Sequence, residues 1–72
     1  MNTNKAKKTF IGTVINPVDA VYKLYKVEWE YKLYQKICKK VDYLYFVNTG
    51  ELRAGDKVEI EDNSTIKIVR KL

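Results

Sequence analysis

The run from Tyr22 to Lys40, YKLYKVEWEYKLYQKICKK, constrains the chain more than any other stretch. Six lysines are interleaved there with five of the nine aromatic residues, and only two acids intervene. Read at a period of two, Val21, Tyr25, Val27, Trp29 and Tyr31 fall on one side of an extended strand, with Lys23 the one interruption. Tyr22, Leu24, Lys26, Glu28, Glu30 and Lys32 fall on the other side, which turns polar toward its end. A helix fits worse, because β-branched and aromatic residues are abundant and no apolar stripe recurs at three-to-four spacing. The pattern predicts a long strand, a tight basic connection around Lys32 to Lys36, and a second long strand from about Ile37 to Val47. Lysine stems lie along apolar surface while their ammonium heads reach outward, so such a ribbon suits a polyanion.

The distribution of charge sharpens that expectation. The 72 residues carry a net charge of +5, but residues 1–40 hold nine lysines and three acids, +6, whereas residues 41–72 hold five basic and six acidic side chains, −1. A chain of this length is one domain whose core only just offsets the entropy of ordering it. The single cysteine, Cys38, permits no intrachain disulfide and no thiolate cluster, which points to a reducing compartment and to a small strand side chain. No histidine is present, which removes the usual general base and the commonest metal ligand and argues against an enzyme, a cofactor or a metal. No apolar run approaches the roughly 18 residues of a membrane-spanning helix. MNTNKAKK resembles neither a signal peptide nor a transit peptide, so the expectation is a protein that works where it is made or has already lost its targeting segment.

Residues 1–7 read as a flexible basic tail and 8–72 as the folded domain. Lys8 to Ile15 alternates as a strand, with Gly12 expected to mark a bend or bulge. Asn16-Pro17-Val18-Asp19 reads as a turn, after which the chain returns along the long strand from Ala20. From Ile37, the residues Ile37, Lys39, Val41, Tyr43, Tyr45 and Val47 share one face. Leu44 and Phe46 make the other face apolar as well, which predicts two-sided burial toward the end of that strand. Asn48-Thr49-Gly50 breaks it, and Glu51 to Gly55 is a short connection with room for one helical turn. Asp56 to Glu61 places Val58 and Ile60 inward, Asp62-Asn63-Ser64 is a hairpin turn, and Ile66, Ile68 and Val69 form the last strand. Five strands and no long helix leave an all-β fold: a five-stranded Greek-key barrel of the OB type, or an SH3-like barrel.

Several residues are candidates for a site. Glu28 and Glu30, about 6.8 Å apart on one strand face, have the spacing of an acid-base pair, but the plainer reading is two exposed glutamates beside lysines. Asn63-Ser64-Thr65 fits a glycosylation sequon and reads as a turn. Trp29 and the tyrosines are able to stack on bases, yet Trp29, Tyr25 and Val27 are expected in the core. Lys23, Lys26, Lys32, Lys36, Lys39 and Lys40 are too many on adjoining strands to be a merely solvated face.

The order of residues also resembles a known family. KKTFIGTVINPVDAVYKLYKVE, the KLYQK connection, AGDKVEIED and IKIVRKL are similar to small-subunit ribosomal protein number seventeen, the universal S-seventeen family, over about Lys7 to Leu72. GDKVEI alone is common in small barrels. The run Lys-Thr-Phe-x-Gly-x-Val, continuing without gaps to Val27-Glu28, then Leu33-Tyr34-x-Lys36 and Gly55-Asp56-x-Val58, is more specific. The resemblance implies a five-stranded OB-type Greek-key barrel without catalytic activity, a structural constituent of the small ribosomal subunit. It also implies direct binding to small-subunit rRNA beside neighbouring ribosomal proteins, with no membrane and no small-molecule substrate. The expected rRNA contacts are Lys5, Lys7, Lys8, Lys23, Lys26, Lys32, Tyr34, Lys36, Lys39 and Lys40. The alternative is a free-standing single-stranded nucleic-acid-binding barrel of the cold-shock kind, and a remoter one a protein-binding SH3-like module.

The chain departs from the family in three places. Tyr31-Lys32 stands where the family has His-Pro, with Gln35 at a usual glycine, and Val41-Asp42-Tyr43-Leu44 replaces a Ser-Lys-Lys-Tyr run. The basic Arg-Pro-Leu-Ser loop between the last strands is cut to Asp62-Asn63-Ser64, an acidic turn expected to stand away from phosphate. Twelve lysines against two arginines, with abundant Asn, Ile and Tyr, fit an AT-rich genome. The expected location is the ribosome of an organelle, plastid or mitochondrion, or of the cytoplasm of a reduced bacterium.

Overall fold

Alternating apolar and polar residues produce strands throughout. The computed structural model describes residues 8–72, and the tail expected over residues 1–7 lies outside them. The strands are β1 (Lys8–Asp19), β2 (Leu24–Leu33), β3 (Lys36–Tyr45), β4 (Lys57–Asp62) and β5 (Ile66–Lys71), with no helix among the described residues. They form one antiparallel sheet in the order β3-β2-β1-β4-β5. The sheet curls until the end of β3 meets β5: Phe46 bridges Ile68 in parallel, and the Val47 N–H donates to the Ile68 carbonyl at 3.1 Å. The result is an all-β, barrel-like domain.

β1 is the central strand, and Gly12 sits at its most crowded point, opposite both Trp29 of β2 and Val58 of β4. A Cβ at this position would lie 2.6 Å from Ile60 Cδ1, 2.9 Å from Val27 Cγ1 and 3.1 Å from the Glu28 carbonyl oxygen. Gly12 therefore serves close packing, and the bulges fall later, between Val14 and Asn16 and between Pro17 and Asp19. Those two irregularities overturn the expected turn at Asn16–Asp19, because they carry β1 through it with Pro17 opposite Tyr25. Pro17 is tolerated there because the β1–β4 ladder has ended at Thr13, so its missing N–H breaks no pairing on that side. The turn lies instead at residues 20–23, where Asp19 Oδ1 accepts the N–H groups of Val21 at 3.0 Å and Tyr22 at 3.2 Å. Val21 is consequently 83% exposed rather than part of the inward row.

The rest of that row behaves as expected: Tyr25, Val27 and Trp29 are buried, and Tyr31 packs against them. Val14, Leu44, Phe46, Leu52, Val58, Ile60 and Ile68 complete the core. Trp29 lies 4.5 Å from Phe10 between ring centroids, and its indole N–H donates to Asp42 Oδ2 at 2.9 Å. The segment 51–55 holds no helical turn. It is a loop closed by Asp56, which accepts the Arg53 N–H at 2.8 Å, and it is anchored by buried Leu52, whose N–H donates to the Tyr25 hydroxyl at 3.2 Å. The two-sided burial expected toward the end of β3 is not observed, since Tyr43, Tyr45 and Val47 are 60%, 54% and 58% exposed. Among the described residues no element packs on the outer side of β3; Leu44, and Phe46 just after the strand, enter the core.

The β2–β3 connection is the two-residue turn Tyr34-Gln35, closed by the Leu33–Lys36 pair, with φ of 51° and 68°. Both values lie in the left-handed region, which suits the twist of a hairpin but disfavours residues carrying a Cβ.

Two outcomes follow from this packing. Gly12→Ala should destabilise the domain by about 1–3 kcal/mol through overpacking, read as a lowered denaturant midpoint with an unchanged slope. Gln35→Gly should stabilise the domain by about 0.5–1 kcal/mol by relieving a left-handed residue, read as a raised midpoint; an unchanged or lower midpoint would mean that the turn carries no strain.

Candidate nucleic-acid interface

The β1–β2 ladder starts at the Gly12–Trp29 pair. Beyond it, Glu30 to Leu33 of β2 and Lys36 to Lys39 of β3 pair only with one another, so the end of this hairpin projects as a two-stranded arm. The alternation of β2 and β3 decides what the arm shows. Lys32 faces outward beside Ile37, Lys39 faces outward opposite Glu30, and Lys36 lies on the other face next to the turn. Tyr34, at the tip, is 90% exposed, and Leu33 and Ile37 flank it at 50% and 66%.

Among the described residues, Lys26, Lys32, Lys36 and Lys39 form no salt bridge, and Glu30 makes none with the lysine opposite it. Lys40 is partly committed, 3.8 Å from Asp42 and 5.3 Å from the centroid of the Trp29 ring. The opposite side of the sheet is electrically different. There Arg70 pairs with Glu59 at 2.5 Å, Lys67 with Glu61 at 3.3 Å and Lys71 with Asp56 at 3.6 Å. Along β4 and β5 Lys67, Arg70 and Lys71 are paired to acids while Lys57 donates to Thr13 Oγ1 at 2.7 Å, whereas Lys32, Lys36 and Lys39 of the arm form no salt bridge among the described residues.

The structure thus gathers Lys32, Tyr34, Lys36 and Lys39 on one projecting element, with Lys40 at its base beside Trp29 and Asp42, and Lys26 further along the outer face of β2. It does not bring Lys23 to them. Lys23 follows the turn at the far end of β2, where its ammonium lies 4.8 Å from the centroid of the Phe46 ring and donates to the Asn48 carbonyl. Its φ of 58° and these contacts give it an internal job. Lys8 starts β1 opposite Asp62, and Lys5 and Lys7 lie outside the described residues. Glu28 and Glu30 are exposed on the open outer face, where the groove beside them is lined by Ile11, Thr13, Lys39 and Lys57. The residues Asn63–Thr65 form the turn expected of them, the Asn63 N–H donating to the Thr65 carbonyl at 3.1 Å.

Sequence reasoning takes the tyrosines as able to stack on bases without assigning two of them to the inner or the outer face. Tyr43 and Tyr45 stand side by side on the outer face of β3, opposite Lys26 and Leu24 of β2. The signal for them was present in a strand that is apolar on both faces while only one face has a core to meet. No family model, no curated protein and no solved structure matches the chain.

Proposed function

We propose that the chain is a diverged ribosomal protein of the S-seventeen family that binds small-subunit rRNA through the β2–β3 arm and supports assembly of that subunit. The observation that carries the reading is the arm itself, a projecting hairpin whose cations have no acidic partner among the described residues. A phosphate backbone supplies those partners, and the release of its condensed counterions drives the association. Exposed Tyr34, Leu33 and Ile37 give the tip an apolar wedge between the charges. Contacts of this kind position a protein on folded RNA by shape and backbone rather than by reading base edges.

The strand order supports the OB-type assignment. A central β1 pairs with both β2 and β4, and the barrel is completed by a parallel approach of β3 to β5. The residue run Lys8-Thr9-Phe10-x-Gly12-x-Val14 and the Leu33-Tyr34-x-Lys36 connection support the family. They fall on the packed centre of β1 and on the arm tip, two places where residue type matters physically. The acidic hairpin at Asp62 is expected to stand away from phosphate, and the implied setting is the ribosome of an organelle or a reduced bacterium.

Two measurements test the reading. In sedimentation of lysate from the source cells, the protein should travel with the small subunit; recovery only at the top of the gradient would favour the free-standing alternative. In rRNA binding across a salt series, Lys32→Gln and Lys36→Gln should each weaken binding and lower the slope of log affinity against log salt by about one. Lys23→Gln should leave that slope unchanged while lowering stability. Equal slopes for all three variants would remove the arm from the interface.

A further inference from the structure

β3 ends the sheet on one side, and most of its outer edge has no neighbouring strand. Its register with β2 runs without a bulge from the Leu24–Tyr45 pair to the Leu33–Lys36 pair. The Phe46 N–H donates to the Lys23 carbonyl on the β2 side, whereas the Val47 N–H donates to the Ile68 carbonyl on the other. In an antiparallel strand both polar backbone groups of a residue point the same way, and the direction alternates along the chain. Ile37, Lys39 and Val41 therefore each turn an N–H and a carbonyl away from β2. Among the strands only β5 comes near that edge, and it bridges the chain just past the end of β3, at Phe46.

An unpaired edge is a template for another strand, and a proline, a bulge, a covering element or charge usually protects it. Residues 36–42 contain no proline and no bulge, and no strand covers them. What remains is charge, Lys36, Lys39 and Lys40 against Asp42, and it selects the occupant. A second copy of this chain is disfavoured. Antiparallel self-pairing centred on Cys38, Lys39 or Lys40 sets lysines face to face, and centring it on Val41 drives Lys36 into the place that Ile68 holds beside Phe46. Residues 1–7 carry two lysines and no acid, so they meet the same repulsion. Phosphate is a poor ligand for this edge, because a carbonyl oxygen stands beside each outward N–H. A strand of opposite charge satisfies both the alternating donors and acceptors and the lysines.

We propose that the β3 edge from Ile37 to Val41 binds an extended acidic segment of another protein, which adds to the sheet as a strand antiparallel to β3. Main-chain hydrogen bonds to Ile37, Lys39 and Val41 hold it, and its side chains set the specificity. On the outer face its residues are apolar, lying beside exposed Ile37 and Val41 and along the stem of Lys39. On the inner face an acid stands opposite Lys40, on the side away from Glu28 and Glu30, which face outward opposite Val41 and Lys39. Apolar residues alternating with polar ones, with an acid among the polar ones, define the partner. The inference is independent of the RNA reading, which rests on the arm lysines.

The test uses the whole chain, with backbone amides resolved by NMR, and the synthetic peptide Thr-Val-Glu-Val-Thr-Val-Glu. In the free chain the amides of Ile37, Lys39 and Val41 should exchange fast, and those of Cys38, Lys40 and Asp42, bonded to β2, slowly. The peptide should slow the first set at least about tenfold and leave the second unchanged. N-methylation of its valines, whose N–H groups face β3, should weaken binding at least about tenfold, whereas N-methylation of its threonines should cost less than about threefold. Lys40→Glu should weaken the peptide about fivefold, and replacing the peptide's central glutamate by lysine should recover it; circular dichroism establishes that the variant is folded.

Slow exchange at Ile37, Lys39 and Val41 in the free chain would overturn the inference, since residues 1–7 or a second copy would then already cover the edge. So would unchanged exchange at about 1 mM peptide, or equal losses from methylating valines and threonines. An oligouridylate that slows these three amides while the peptide does not would give the edge to nucleic acid instead. The arm variants Lys32→Gln and Lys36→Gln decide the RNA reading separately, through their salt slopes.

Discussion

The missing side chain at Gly12 is the constraint on which the rest of the domain depends. β1 is paired along both edges at this point, so the sheet is able to curl only if β2 and β4 bring their inward side chains over the same patch of backbone. Val27 and Ile60 do so, filling the volume a Cβ would occupy. Their approach turns a flat ladder into a curved one and lets Phe46 reach Ile68 across the open side. Closure in turn buries Leu52 of the loop that follows β3, and the Tyr25 hydroxyl satisfies its amide, which would otherwise be stranded in the core.

Curvature also decides where function can reside. A small barrel has room inside only for side chains, so everything chemically available is displaced to strand ends and to outward rows. On β4 and β5 most charges of the outward row pair with one another. On the projecting part of β2 and β3 it is uncancelled lysine, and on the body of β3 it is aromatic. The same alternation that packs Trp29 and Leu44 inward thus sorts the outside into an inert side, a charged arm and a flat apolar face.

Much of this was legible in the sequence, and the misses have identifiable physical causes. Tyr25, Val27 and Trp29 announced themselves by a period of two, as did Val58 and Ile60, because one-sided burial leaves an alternating record. The continuation of β1 through Pro17 was hidden by two bulges in its pairing with β2, and by a proline tolerated only because the β1–β4 ladder has ended, neither of which local pattern shows. Gly12 was read as a bend because its real role is set by Ile60, far along the chain. Lys23 was counted with the polyanion ribbon, but its left-handed backbone and its seat on the Phe46 ring arise from the tertiary turn at residues 20–23. The tyrosines of β3 were ambiguous for a simpler reason: a strand apolar on both faces does not say which face a domain this small leaves uncovered.

The pairing of β1 with β4 has a consequence for how the chain reaches this structure. Thr13 meets Lys57, and Lys8 meets Asp62, so the two halves of the central ladder are separated by most of the sequence. The β2–β3 hairpin, by contrast, pairs residues close in sequence through its two-residue turn. The core around Gly12 cannot close until residues 57–62 have emerged and returned to the start of the chain. Folding should accordingly be slow for so short a polypeptide, as loop closure precedes the contacts that reward it. During synthesis residues 24–45 emerge before β4, the strand that completes the body.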